Sequence, residues 1–273
     1  MEFAVNGQRT YAYTGARAFD PAQQSVLFVH GAGLDHTVWI LQSRWFAHHG
    51  YNAIAIDLPG HGRSAGAAPA SIEDIAAWLM QCLDALAIER ACLVGHSMGA
   101  LAVLAAAACS PARVDFAALL GIAVPMPVSD ALLAAARDNP ADAHAMITLW
   151  GHGFAAQIGG NTTPGMWMTG NAMRLLARGA PGLLHNDLAA CNRYRAGLEH
   201  AAHVRCPVVL VLGRQDVMAA PRGIAPLRDA LTQARVVELD HCGHMLMAEQ
   251  PDRVLDVLVH GVQQAATVRT QLA

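Results

Sequence analysis

Short runs of apolar residues, each ended by glycine, proline or a polar cluster, set the strongest limit on what this chain can become. Residues 25–29 (SVLFV), 51–56 (YNAIAI), 91–94 (ACLV), 116–124 (FAALLGIAV) and 208–212 (VVLVL) lack the strict apolar–polar alternation of a half-solvated strand. Runs of this length and character are strands covered on both faces, the mark of a parallel sheet packed between helices. At 273 residues and 54% hydrophobic, the chain holds enough apolar material for one such core with an insertion.

Helical signals lie between the runs. Residues 71–74 (SIED) read as a capping box that opens a helix to about Leu86, and the Ala-rich stretch 100–108 reads as a buried core helix. Asn6-Gly7 marks a hairpin ahead of the sheet. Between Pro125 and Pro207 the strand signal disappears in favour of helical stretches near 130–137, 141–150, 165–178 and 182–202. The organisation expected is therefore a core formed by 1–124 and 207–273, with a helical cap at 125–206 inserted into it. The glycine-rich stretch 151–165 is expected to be the cap's most mobile part.

Chemistry concentrates where apolar runs stop. Gly95-His96-Ser97-Met98-Gly99 joins a strand to a small-residue helix, so Ser97 sits on the sharp turn that exposes a nucleophile. A serine hydroxyl is too weak a nucleophile at neutral pH without a base to take its proton. Strand 208–212 runs into Gly213-Arg214-Gln215-Asp216, and strand 235–239 (RVVEL) is followed by Asp240-His241-Cys242-Gly243-His244. Asp216 is the candidate acid that orients the candidate base His244. Strand 25–29 ends in His30-Gly31-Ala32-Gly33, a bend able to turn N–H groups toward a ligand. Helix N-capping by Ser97 and by Asp216 are the structural alternatives for those two residues, and a packed small residue is that for Cys242.

Four blocks in this order, His30-Gly31-Ala32-Gly33, Asp57-Leu58-Pro59-Gly60-His61-Gly62-Arg63-Ser64, Gly95 to Gly99, and Gly243-His244 with Glu249-Gln250-Pro251, resemble the α/β-hydrolase fold superfamily, in particular its serine carboxylesterase and enol-lactonase branch. The resemblance spans residues 25–260. It implies an α/β-hydrolase fold: a mostly parallel eight-stranded sheet, helices on both faces, and a helical cap inserted after the sixth strand. It also selects His244 over His241, gives Asp57 a structural role in its turn, and assigns the oxyanion hole to the N–H groups of Met98 and Ala32, with Gly33 as alternative to Ala32. It points to a serine hydrolase of a small ester or lactone that needs no cofactor. Carbon–carbon bond hydrolases are the alternative; they carry Asn before the serine and Trp after the histidine, where this chain has His96 and Met245. A ligand-binding receptor without turnover is a second alternative.

Trp39, Met126, Trp150, Phe154, Met166 and Trp167 are candidates for an apolar substrate pocket. The cap arginines Arg137, Arg174, Arg178, Arg193 and Arg195 are candidates to pair a substrate carboxylate, against the commoner reading of solvated helix faces. The cap histidines show no metal-ligand spacing, so no metal is expected. A net charge of −3 without a basic cluster argues against nucleic acid, and no stretch of about 20 apolar residues argues for a membrane span. Six dispersed cysteines and the absence of a leader pattern suit a cytoplasmic protein.

Overall fold

The computed structural model describes residues 1–160 and 165–272, with side-chain placement through Thr267. Its strands are β1 (Glu2–Val5), β2 (Gln8–Tyr13), β3 (Ser25–Val29), β4 (Asn52–Ile56), β5 (Ala91–His96), β6 (Val114–Leu120), β7 (Val208–Gly213) and β8 (Ala234–Leu239). They form one eight-stranded sheet in the order β1-β2-β4-β3-β5-β6-β7-β8. β1 and β2 form an antiparallel hairpin closed at Val5 and Gln8, with Asn6 and Gly7 both at positive φ as a tight hairpin turn requires. β2 is also antiparallel to β4, and β3 to β8 are parallel.

Every residue of β3 to β7 is buried, which explains their unbroken apolar sequences. Side chains still alternate between two layers. Leu27 and Val29 of β3 face α2 (Ile72–Ala85) and α3 (Met98–Cys109), while Val26 and Phe28 pack with Trp39 and Phe46 near α1 (Ile40–His48) and with Leu258 and Val262 of α12 (Pro251–Leu272). β8 closes the far edge of the sheet with its charged residues Arg235 and Glu238 partly or fully exposed, a common way of protecting an edge. Ser71 caps α2: its hydroxyl accepts from the Asp74 N–H at 3.1 Å and donates to Asp74 Oδ2 at 2.7 Å.

The chain leaves β3 toward β4 on one side and leaves β5 toward β6 on the other. This reversal opens a crevice above the carboxyl ends of β3 and β5, where the His30 bend and Ser97 meet. Between β6 and β7 come α4 (Asp130–Asp138), α5 (Pro140–Gly151), α6 (Phe154–Gln157), α7 (Met168–Leu176), α8 (Leu183–Arg193) and α9 (Gly197–His203). Leu132, Ala136, Ala143, Leu176, Leu184 and Leu188 of these helices form a separate apolar cluster with Leu34 from the core. α9 packs instead on α3 and on α10 (Ala225–Ala230), so by packing it belongs with the core although it falls within 125–206. A short α11 (Leu246–Glu249) precedes α12. Among the described residues, no helix is long and apolar enough to cross a membrane.

Candidate active site

Ser97 occupies a backbone conformation, φ 54° and ψ −117°, that costs a residue with a Cβ on the order of 1–3 kcal/mol. Its own N–H is anchored on the Leu120 carbonyl of β6 at 2.9 Å. The flanking glycines are required by contact: a Cβ on Gly99 would lie 2.5 Å from the carbonyl oxygens of Val29 and His30, and one on Gly95 would overlap Gly99. The Ser97 side chain makes no capping bond to α3, so its hydroxyl is not spent on the helix.

His244 Nδ1 lies 2.7 Å from Asp216 Oδ2. The other carboxylate oxygen of Asp216 accepts from the N–H groups of Met218 and Ala219, both at 2.8 Å, so this acid caps a turn and orients the imidazole at once. Burial alone would raise the Asp216 pKa, but the charge and hydrogen bond of His244, with the two N–H donors, outweigh it and hold the carboxyl below its usual range. The His244 backbone is fixed from both ends. Its N–H donates to the Gly151 carbonyl at 2.9 Å, and its own carbonyl accepts from His96 Nε2 at 2.8 Å.

Ser97 and His244 line one cavity of ≈ 200 Å³, together with Ala32, Met126 and Trp150. The N–H groups of Ala32 and Met98 have no acceptor among the described residues, whereas the Gly33 N–H is taken by Asp187 Oδ2 at 2.9 Å. Met166 lines an adjoining cavity of ≈ 450 Å³, which shares His152, Ala172 and Met245 with the first. Phe154 and Trp167 are 67% and 70% exposed and line neither cavity. Trp39 departs from its expectation too: it is fully buried, 5.5 Å from Phe28 in the layer below the sheet, where it completes the core. None of the five arginines lines the Ser97 cavity. Arg137 and Arg178 pair with Asp138 and Asp35, Arg193 and Arg195 reach backbone carbonyls, and Arg174 lies at the second cavity with Arg178.

His96, the residue before the serine, is also among the residues that line the cavity. A carbonyl can only accept, so His96 Nε2 carries the proton shared with His244 O. Burial, reinforced by the His244 charge, lowers its pKa to about 3 and keeps the ring neutral. Cys242 is fully buried, and desolvation with the Glu249 and Asp216 carboxylates pushes its thiol up, which suits packing rather than reactivity. Asp35, His36 and Asp57 bring one potential ligand atom each within 4.8 Å of one another. Their oxygens are already engaged: Asp57 by His36 and the Arg63 N–H, Asp35 by Thr37 and Arg178.

Sequence reasoning missed three buried polar residues that frame this site. Glu249 accepts from the N–H groups of Gly153 at 2.8 Å and Gly243 at 3.1 Å; it had been noted only as part of a motif. His61, in the loop after β4, and Asp187 of α8 pair at 2.8 Å. His61 lies in the block from Asp57 to Ser64, but nothing in the sequence marks Asp187 out from other helix acids.

The strand order, the elbow at the end of β5, and the acid and histidine following β7 and β8 define an α/β-hydrolase fold. The chain matches the sequence profile described as "Alpha/beta hydrolase family" over residues 26–257 and belongs to that family. It is 27% identical over 249 residues to the putative carbamate hydrolase RutD of Escherichia coli O6:H1, covering 87% of each chain. A shorter match, 37% identical over 79 residues, is to the (E)-2-((N-methylformamido)methylene)succinate hydrolase of Acinetobacter baylyi. That match spans 29% of this chain and 30% of the relative, so the chain aligns with under a third of that enzyme's length. Among solved structures, the enol-lactonase from Burkholderia xenovorans LB400 superposes with a TM-score of 0.83 at 21% identity, over 96% of this chain and all of that one.

Proposed function

We propose that the protein is a serine hydrolase that cleaves a small carboxylic ester or lactone through an acyl-enzyme. The observation that carries this reading is the placement of Ser97, on its strained elbow, in the same cavity as His244, whose Nδ1 is held by Asp216. With Nδ1 held by Asp216, His244 has Nε2 for the serine proton. Attack on the substrate carbonyl then moves that proton to His244, and the Asp216 carboxylate stabilises the imidazolium. The Met98 and Ala32 N–H groups, unspent elsewhere, are assigned to the oxyanion; the Asp187 bond to Gly33 removes the alternative donor. His244 returns the proton to the leaving alkoxide and next activates water against the acyl-enzyme.

The cavity supports a small, uncharged acyl group. At ≈ 200 Å³ it falls below the roughly 300 Å³ at which drug-sized sites begin, and among the described residues no arginine or lysine lines it. His96 and Met245 at its marker positions weigh against the carbon–carbon hydrolase reading, and that lack of a lining cation weighs against an enol-lactone that carries a carboxylate. The relatives and the neighbour named above are hydrolases or a lactonase by name, which agrees with the proposed class. Action in the cytoplasm is part of the proposal, on the ground that all six cysteines are free thiols.

The test is hydrolysis of p-nitrophenyl esters from acetate to decanoate, with titration of Ser97 by a fluorophosphonate. Turnover should peak at short acyl chains and require Ser97. Stoichiometric labelling without turnover of any ester or lactone would favour the receptor reading.

A further inference from the structure

A carboxylate from the inserted helices reaches into the core beside the oxyanion bend. Asp187 of α8 is 2% exposed, and its Oδ2 accepts from the Gly33 N–H at 2.9 Å and meets His61 Nε2 at 2.8 Å. α7 and α8 lie directly on this bend: a Cβ added to Gly33 would come within 3.0 Å of Leu176 and 2.9 Å of Leu184. Among the described residues, the bend is otherwise closed only by the Leu34 N–H and the His30 ring, both donating to the Gly31 carbonyl.

The two buried histidines here hold opposite charge states, and their partners say which. His61 Nδ1 faces the Pro59 carbonyl at 3.0 Å and Nε2 faces Asp187. A carbonyl and a carboxylate both accept, so both nitrogens of His61 donate and the ring is an imidazolium. His30, 4.8 Å away ring to ring, receives the Leu58 N–H on Nε2 and donates from Nδ1 to Gly31, which makes it neutral. Burial alone would lower the His61 pKa, but the hydrogen bond and charge of Asp187, with the Pro59 carbonyl and Asp57, raise it above the ordinary value. Burial, together with the His61 charge, lowers that of His30 to about 4. The other charges nearby are committed: Asp57 to His36 and the Arg63 N–H, Asp35 to Arg178.

We propose that Asp187 is a positioning residue for the oxyanion hole: locked by the His61 imidazolium, it holds the Gly33 N–H and so aims the adjacent Ala32 N–H into the cavity. This rests on the serine-hydrolase reading. Deprotonation of His61 would remove the charge that locks Asp187 and leave one ring lone pair facing an acceptor, the Pro59 carbonyl or the carboxylate itself, which loosens the bend and costs transition-state binding more than substrate binding. Turnover therefore carries an alkaline limb that belongs to His61 and not to the triad.

The experiment measures kcat and KM for p-nitrophenyl acetate against pH in the full chain, its Asp187→Asn variant and a His61→Gln variant. Fluorophosphonate titration and thermal melting accompany each. Both variants should melt cooperatively and label Ser97 to completion. Each should lose about 10- to 100-fold in kcat, with KM within about threefold, because a misaimed donor is a fraction of the roughly 10²–10³ lost with an oxyanion donor. Both should also lose the alkaline limb. Unchanged kcat and an unchanged limb in a folded variant would overturn the proposal. Should neither variant fold, ¹⁵N NMR of the histidine rings in the unaltered protein decides. His61 must titrate with the midpoint of the alkaline limb, and a neutral His61 or a separate midpoint refutes the assignment. A wild type that neither labels nor turns over esters would instead sink the hydrolase reading and this role with it.

Discussion

Replacing Asp216 by Asn tests the proposed triad without changing its shape, and the structure dictates how the amide must sit. The Oδ1 position is fixed by two N–H donors, Met218 and Ala219, at 2.8 Å. An amide oxygen has to occupy it, which turns the NH₂ group toward His244 Nδ1, 2.7 Å from the present Oδ2. An NH₂ only donates, so His244 must take the tautomer with its proton on Nε2, the nitrogen that should receive the proton of Ser97. The opposite orientation sets NH₂ against two buried N–H groups, at about 1–3 kcal/mol for each donor left unpaired. Neither orientation gives a working base. The expected loss is therefore ~10³–10⁴ in kcat, or about 4–5 kcal/mol of barrier, with little change in melting temperature. The assay is steady-state hydrolysis of p-nitrophenyl acetate, with the rate of fluorophosphonate labelling as a measure of Ser97 nucleophilicity. Activity within tenfold of wild type would mean that Asp216 does not set the His244 tautomer, and the acid would have to be sought elsewhere.

Ser97→Ala should abolish ester turnover, by at least ~10⁴, and leave the fold intact or slightly stabilised by relief of a polar group; retained turnover would move the nucleophile. Trp150→Ala enlarges the Ser97 cavity and should shift the p-nitrophenyl optimum toward longer acyl chains, an expectation that an unmoved optimum would contradict. Gly33→Ala combines φ +66° with contact on Leu176 and Leu184, and should lower stability by about 1–3 kcal/mol in a denaturant melt. The buried histidines predict the pH dependence of stability. His30 and His96 have folded pKa values of about 4 and about 3, below the ordinary 6.5. The unfolded chain takes up protons on them below pH 6.5 while the folded chain does not, so stability falls as pH drops from there, by roughly 1.4 kcal/mol per pH unit for each ring. His61 works in the other direction, since its raised pKa gives a contribution that is full below pH 6.5 and lost as pH rises through the folded value. A melting temperature flat from pH 4.5 to 6.5 would refute the assignment of neutral buried rings.

How much of this could be read beforehand follows from the range of the forces involved. Apolar runs report burial on both faces, so β3, β4, β7 and the buried α3 were legible from composition within a few residues, and the Ser71 box marked α2 through a contact only three residues long. The Asn6-Gly7 hairpin was legible for the same local reason. Limits of elements were less so: the strand read as 116–124 is Val114–Leu120, since the apolar residues that follow, Ile122 and Val124, belong to a buried loop rather than to the sheet. For the site, the residues came from strand ends and from resemblance, and the structure brings Ser97, Asp216 and His244 into one place. The pocket list fared differently because an aromatic or methionine carries no mark of which cavity it will face. Trp39 serves the core, Phe154 and Trp167 lie at the surface, and only Met126 and Trp150 reach the Ser97 cavity. Asp187 and His61 are 126 residues apart in sequence, and no local pattern encodes a pairing of that span.

The segment expected to be the most mobile is, in its first part, tied by several hydrogen bonds. Residues 161–164 lie outside the described residues, but Gly151 to Phe154 are joined to the histidine loop. The Gly151 carbonyl accepts from the N–H groups of both His244 and Met245, Glu249 accepts from Gly153, and Gln215 accepts from Phe154. Glycine was read there as freedom; its use is closeness, since a Cβ on Gly153 would lie 2.6 Å from Gln215 Oε1. The chain between β6 and β7 therefore helps to position His244, the proposed base. Glu249 is where this can be tested. Glu249→Ala removes the acceptor of two buried N–H groups, Gly153 and Gly243, at about 1–3 kcal/mol each. It should lower the melting temperature by several degrees and kcat along with it, because the Gly243 bond lies one residue before His244. Glu249→Gln, whose amide oxygen can take the Oε2 place and receive both N–H groups, should recover most of each. A Glu249→Ala protein that melts early yet turns over at the wild-type rate would show that His244 keeps its position without the Glu249 tie, and that this tie serves stability alone.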